Sequence, residues 1–167
     1  MDTPAWPIEH EDRWLLNYRG LLITKISIDY RLTLLLGADV EVVVECPARI
    51  SHGPLSNPKN PSTAVVPERQ DVAAALSLFG AKVLSAVAFK SGGLRMVFDT
   101  GLHLNCPADP SCEAWQATGP GQWKIVSRPG GDLSVWRGEH HPSSDQAAQH
   151  TERLTTTTQA RPNLTEK

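Results

Sequence analysis

Apolar or β-branched side chains fall on every second residue from Leu22 through Thr24, Ile26, Ile28, Tyr30, Leu32 and Leu34 to Leu36. A period of two is the spacing of a β-strand with one face buried, and it excludes a helix over these residues. The intervening Lys25, Ser27, Asp29, Arg31 and Thr33 are polar, as expected where the other face meets water. After Gly37-Ala38-Asp39 the alternation resumes at Val40, Val42 and Val44, with Glu41 and Glu45 outward. A three-residue hairpin loop sets Leu36 opposite Val40 on the same face, and the same count sets Arg31 opposite Glu45.

The pattern returns about sixty residues later, at Val83, Ser85, Val87 and Phe89, then Leu94, Met96 and Phe98, then Leu102, Leu104 and Cys106. The first strands of the two blocks align at an offset of 61 and the second strands at 62, which places an extra residue in the Lys90-Ser91-Gly92-Gly93 turn. Between the blocks, Pro67 and acids at Glu68 and Asp71 open a segment with Val72, Ala75, Leu76 and Phe79 at helical spacing, closed by Gly80. That reads as one amphipathic helix. Residues 46–66, with four prolines, read as a long irregular connection. Short strands around Trp115, Trp123 and Trp136, separated by Gly-Pro-Gly and Pro-Gly-Gly turns, close the pattern.

The expected fold is α+β and mostly antiparallel β: two repeated three-stranded meanders, one crossover helix and a closing hairpin, packed as a sandwich or partial barrel. Residues 1–17 form an N-terminal arm that docks by its Trp side chains, 18–136 a single domain, and 137–167, poor in large aliphatics, a disordered tail. The 167 residues allow little beyond one domain.

Sixteen basic and eighteen acidic side chains leave a formal charge of −2, which removes the electrostatic footprint of a nucleic-acid binder or of charge-driven membrane binding. With no apolar run near the roughly 20 residues of a spanning helix and no secretory signal at Met1-Asp2-Thr3-Pro4, the expected location is cytoplasmic. Cysteines there are expected to be reduced. Cys46 and Cys106 continue the inward parity and read as small buried side chains, whereas Cys112 follows a Pro-Ser turn and reads as more exposed.

Val97-Phe98-Asp99-Thr100-Gly101 matches the short string that carries the carboxylate of aspartic proteases. Only one such string is present, and that chemistry needs two carboxylates sharing a proton. Asp99-Thr100-Gly101 instead reads as a hairpin loop that pairs Phe98 with Leu102, as Gly37-Ala38-Asp39 does in the first block. His103, Cys106 and Cys112 do not make a zinc set, because His103 and Cys106 point to opposite faces of one strand. No catalytic residue, metal or cofactor is therefore assigned. The binding candidates are Arg95, His103 and Asn105 on the outer face of the second block, with Arg95 opposite Asn105 and His103 opposite Val97. Trp115, Trp136 and Arg137 are added because clustered Trp and Arg mark contact surfaces.

The strings Asp29-Tyr30-Arg31-Leu32-Thr33-Leu34, Pro67-Glu68-Arg69, Ala88-Phe89-Lys90-Ser91-Gly92 and Glu113-Ala114-Trp115-Gln116-Ala117 resemble those of an uncharacterised family of short actinobacterial proteins. That family is classed as a domain of unknown function, and the likeness covers roughly residues 18–136. The Glu113-x-Trp115 string, a Gly-rich turn and a terminal strand are also similar to small immunity proteins of bacterial toxin systems. The first resemblance transfers no functional residues. The expected role is a non-enzymatic protein-binding module, of which an immunity-type role is one version; the alternative is a small-molecule binder or small hydrolase using the polar face near Arg95 and His103.

Overall fold

A computed structural model gives the architecture of residues 6–138. The tail expected over 137–167 lies, apart from Arg137 and Gly138, outside the described residues. The strands in chain order are β1 (Ile8–Glu9), β2 (Arg13–Leu15), β3 (Ile23–Ile28), β4 (Leu32–Leu36), β5 (Val40–Val44), β6 (Ala48–His52) and β7 (Ser62–Val65). After two short 3-10 helices, Pro67–Arg69 and Ala73–Leu78, come β8 (Val83–Phe89), β9 (Leu94–Phe98), β10 (Leu102–Cys106), β11 (Trp115–Thr118), β12 (Lys124–Ser127) and β13 (Leu133–Trp136).

They form two antiparallel sheets, ordered β1-β2-β8-β9-β10-β6-β7 and β13-β12-β11-β5-β4-β3, packed as an open sandwich. Inward residues of both sheets, among them Leu34, Val42, Trp115 and Ile125 from one and Ile50, Ala88, Met96 and Leu104 from the other, join one continuous core. Both expected meanders are present, β3-β4-β5 and β8-β9-β10, and Leu36 pairs with Val40 as the loop count requires.

Each meander lies in one sheet and then sends its next hairpin to the other. β6-β7 leave β5 to pair with β10, and β11-β12 leave β10 to pair with β5. The halves also meet symmetrically at a corner. Ile23 N–H donates to Ala81 O (3.0 Å) and Val83 N–H to Leu21 O (2.9 Å); Gly20 N–H donates to Val83 O (2.8 Å) and Gly80 N–H to Ile23 O (2.9 Å). Every bond has its image at a spacing of 60 residues, so the internal repeat is a pseudo-two-fold relation between interlocked halves.

That spacing corrects the offset of 61. The β3–β4 register shifts between Ile23 and Lys25, and the β8–β9 register shifts between Val83 and Ser85. Each first strand thus carries a bulge, at Thr24 and Leu84. An extra residue in one strand reverses the parity beyond it. Leu22 is consequently exposed and Ile23 buried. Ser85, Val87 and Phe89 lie on the outer face, while Ala86 and Ala88 point inward.

The expected amphipathic helix is replaced by the two 3-10 turns. Gln70, at φ 59°, ends the first, leaving a six-residue stretch too short to offset the nucleation cost of an α-helix. With three residues per turn, the buried positions become Val72, Ala75 and Leu78. Leu76 and Phe79, assigned inward by α-helical spacing, are 55% and 65% exposed.

Residues 46–66 are less irregular than expected, since they contain the β6–β7 hairpin with Ala48 and Ile50 inward. The N-terminal arm extends the seven-stranded sheet through β1 and β2. Its Trp6 packs edge-on against Trp14 and Trp123, each at 6.5 Å between ring centroids. The reduced state expected for the cysteines is also corrected: Cys46 and Cys112 form a disulfide. The β5–β11 pairing causes it, because it brings the segment before Trp115 beside Cys46, whose N–H donates to Ala114 O. Cys106 is free and buried, as its parity implied.

Candidate functional site

On the outer face of the seven-stranded sheet, antiparallel register fixes which side chains are neighbours across strands. One row runs Leu15, Val87, Arg95, Asn105, Arg49 and Ala64; the next runs Ser85, Val97, His103, Ser51 and Ser62. Arg95 is opposite Asn105 and His103 opposite Val97, as hairpin counting gives. Neither row contains a carboxylate.

Three polar atoms in these rows are shielded from solvent and make no hydrogen bond: Arg95 Nε, His103 Nδ1 and Asn105 Nδ2. Shielded donors without partners are uncommon, since each forfeits its bonds to water. The guanidinium of Arg95 lies over the Phe89 ring, 5.4 Å from its centroid, and that of Arg13 lies 5.5 Å from the same ring. Stacking on the ring fixes the Arg95 head group while leaving its in-plane donors free. Arg49, in contrast, uses Nε and Nη2 on Ser62 Oγ, at 3.2 and 2.7 Å. Burial first and the Arg95 charge second hold the His103 imidazole below its ordinary value, so it is neutral near pH 7.

Beside these groups is a cavity of about 280 Å³. Phe89, Leu94, Pro107 and Leu55, the last from the loop after β6, line it beside Arg49, Arg95 and Asn105, and its surface is mainly apolar. Arg49, Phe89 and Leu55 were missed in the sequence. Arg49 had a signal, the alternation of Ala48 and Ile50 with Arg49 and Ser51, but neighbouring prolines masked it. Phe89 follows the inward parity of Val83 in the sequence, and the bulge at Leu84 turns it outward.

The pseudo-two-fold supplies an internal comparison. Arg95, His103 and Asn105 correspond to Thr33, Glu41 and Val43, which line a cavity of about 390 Å³ on the outer face of the other sheet. The fold therefore needs an outward residue at each position but no Arg, His or Asn.

The remaining candidates are dispersed. Trp115 is fully buried, and its Nε1–H donates to Gly92 O at 2.9 Å, so the expectation that it contacts a partner is corrected. Pairing of β11 between β5 and β12 forces it inward. Gly92 must remain glycine: at φ +106° it has backbone of Gly131 where a side chain would begin. Trp136, 51% exposed, lies on the edge strand of the other sheet, and the Arg137 guanidinium stacks over Trp6 at 4.6 Å.

Asp99-Thr100-Gly101 forms a hairpin turn, with Asp99 Oδ1 accepting from Lys82 N–H at 3.0 Å. Burial pushes the Cys106 thiol up to about 12, which makes it a poor nucleophile. Among the described residues, Cys46, Asp109 and Cys112 bring metal-ligating atoms together. The sulfurs, however, are joined to each other, and Asp109 Oδ1 accepts from Ser111 N–H, Ser111 Oγ–H and Cys112 N–H.

A family model described as a family of unknown function, DUF6188, matches residues 14–137, from β2 through the end of β13. The chain belongs to the DUF6188 family. The match spans both interlocked halves, both cross-strand rows and the cavity lining, so the site lies within the DUF6188 domain. No curated protein and no solved structure matches the chain.

Proposed function

We propose that this DUF6188 domain is a binding module whose contact surface is the outer face of the seven-stranded sheet, and that its partner is a protein presenting acidic groups there. The observation that carries the reading is the cluster of unpartnered Arg95 Nε, His103 Nδ1 and Asn105 Nδ2 in two cross-strand rows without carboxylates. The loop after β6, within the long connection at 46–66, reaches the sheet face at the cavity, which Leu55 and Arg95 both line. His103 has no carboxylate to orient it, which supports holding over hydrolysis. Inhibition of a toxin, as by an immunity protein, is one form such a role takes.

The test is paired capture with full-length protein as bait. Wild type and a Lys25→Glu control, altered on the other sheet, retain the same stoichiometric partner, while Arg95→Glu loses it. Equal retention by all three baits overturns the assignment of the face. The size of the cavity favours a second reading, a small-molecule binder at the same position; a small carboxylate that competes the partner away distinguishes the two.

A further inference from the structure

We infer that Cys46, Cys112 and Asp109 form a redox-gated site for a divalent ion of the zinc class, closed by the disulfide and opened by its reduction. The inference is independent of the proposed docking face. Both sulfurs and one oxygen of the Asp109 carboxylate lie within 4.8 Å of one another.

The backbone holds these three ligands in place without help from the S–S bond. β5 pairs with β11, and Glu45 N–H and Cys46 N–H both donate to Ala114 O, at 3.0 and 3.3 Å. Ala114 N–H donates to Ser127 O (3.1 Å) and Gly130 N–H to Asp109 O (2.8 Å), which ties the other end of the segment to the β12–β13 turn. Asp109 Oδ1 accepts from Ser111 N–H, Ser111 Oγ–H and Cys112 N–H, at 2.8, 2.9 and 3.1 Å. These bonds orient the carboxylate, as outer-shell donors orient a metal ligand, and leave Oδ2 without a hydrogen bond among the described residues.

The donor chemistry gives the class of ion. Two thiolates and a carboxylate suit zinc, whereas calcium and magnesium take oxygen ligands. Two thiolates on a tetrahedral zinc lie about 3.8 Å apart. The Cα atoms of Cys46 and Cys112 are 6.9 Å apart, at the wide end of what a disulfide spans, so the sulfurs can part to that distance without displacing the strands. Cys46 is buried and the other two residues are half-buried, which leaves a solvent side for entry of the ion and for water in the fourth position.

A dithiol opens the site. Its thiolate attacks the more accessible Cys112 Sγ, and the S–S bond breaks with Cys46 leaving as a thiolate. The second thiol of the reductant then displaces Cys112, so two electrons and two protons pass to the protein and the dithiol becomes a disulfide. Binding of the ion releases the two thiol protons to solvent.

The experiment titrates cobalt(II), a spectroscopic stand-in for zinc, into the full chain without oxygen, either oxidised or reduced by a phosphine that is then removed. Reduced wild type is expected to bind a single cobalt with a sulfur-to-cobalt charge-transfer band and tetrahedral visible bands, both erased by zinc. The oxidised chain is expected to show neither band. Cys106→Ala, which removes the buried free thiol, is expected to bind as wild type does. Asp109→Asn keeps an oxygen for the Ser111 and Cys112 donors and is expected to form the same disulfide. Its reduced form is expected to bind at least about tenfold more weakly, since loss of even an outer-shell partner costs about 10–100-fold. Zinc is also expected to raise the melting temperature of the reduced wild type and not that of Cys112→Ser. No charge-transfer band in the reduced chain, or a band of full intensity in Cys112→Ser or in the oxidised chain, overturns the site. Equal affinity of Asp109→Asn and wild type overturns the assignment of the third ligand, and with it the proposed set.

Discussion

The imidazole of His103 is held below its ordinary value by burial and by Arg95, while in the unfolded chain it titrates at about 6.5. As pH falls through about 6.5 the unfolded state takes up the proton first, so this group's contribution to stability is present above that pH and is lost below it. Thermal melts at pH 7.5 and 5.5 are expected to show a smaller pH-dependent loss for His103→Gln than for wild type. The buried indole of Trp115 gives a contrast of another kind. Trp115→Ala is expected to cost about 3–5 kcal/mol in urea denaturation through an unfilled cavity and a lost donor to Gly92 O. Trp136→Ala, at an exposed edge, is expected to stay within about 0.5 kcal/mol.

Among the elements, the segment from Val72 to Phe79 offers the sharpest test, because helix type decides which leucine is buried. Leu78→Ala is expected to destabilise by about 2–5 kcal/mol, and Leu76→Ala by about 0.5 kcal/mol or less. An α-helix would reverse the order. The meanders were legible because alternation is local: Leu32 to Leu36 and Leu94 to Phe98 reveal their parity residue by residue. The bulges were not, since adjacent apolar residues, Leu22-Ile23 and Val83-Leu84, satisfy either parity and only the partner strand decides between them. The site was half legible for the same reason. Arg95, His103 and Asn105 share one hairpin, whereas Arg49 and Leu55 arrive from strands and loops whose pairing depends on distant sequence.

On the scale of the whole molecule, the Cys46–Cys112 disulfide closes a separation of 66 residues and ties the end of β5 to the segment entering β11. In a chain-entropy account, closing a loop of that size restricts the unfolded state by about 4 kcal/mol. Replacing both cysteines by alanine is expected to lower the melting temperature under non-reducing conditions, and dithiothreitol to lower that of wild type but not of the double variant. The surface also divides sharply, with a cationic outer face on one sheet and Glu41, Arg31 and Lys124 together around the cavity on the other. A docking partner thus meets two unlike sides of one symmetric frame.

The exchange of hairpins between the halves sets a schedule for the ribosome. When β3-β4-β5 emerge, the free edge of β5 has no neighbour, because the strand that covers it, β11, begins only at Trp115. An apolar strand edge left open invites pairing with other chains. At about 5–20 residues per second the nascent chain carries that edge for several seconds. The protein is then most vulnerable to aggregation during its own synthesis, and slowing translation between Val44 and Trp115 should lower its soluble yield more than slowing it after Ser127.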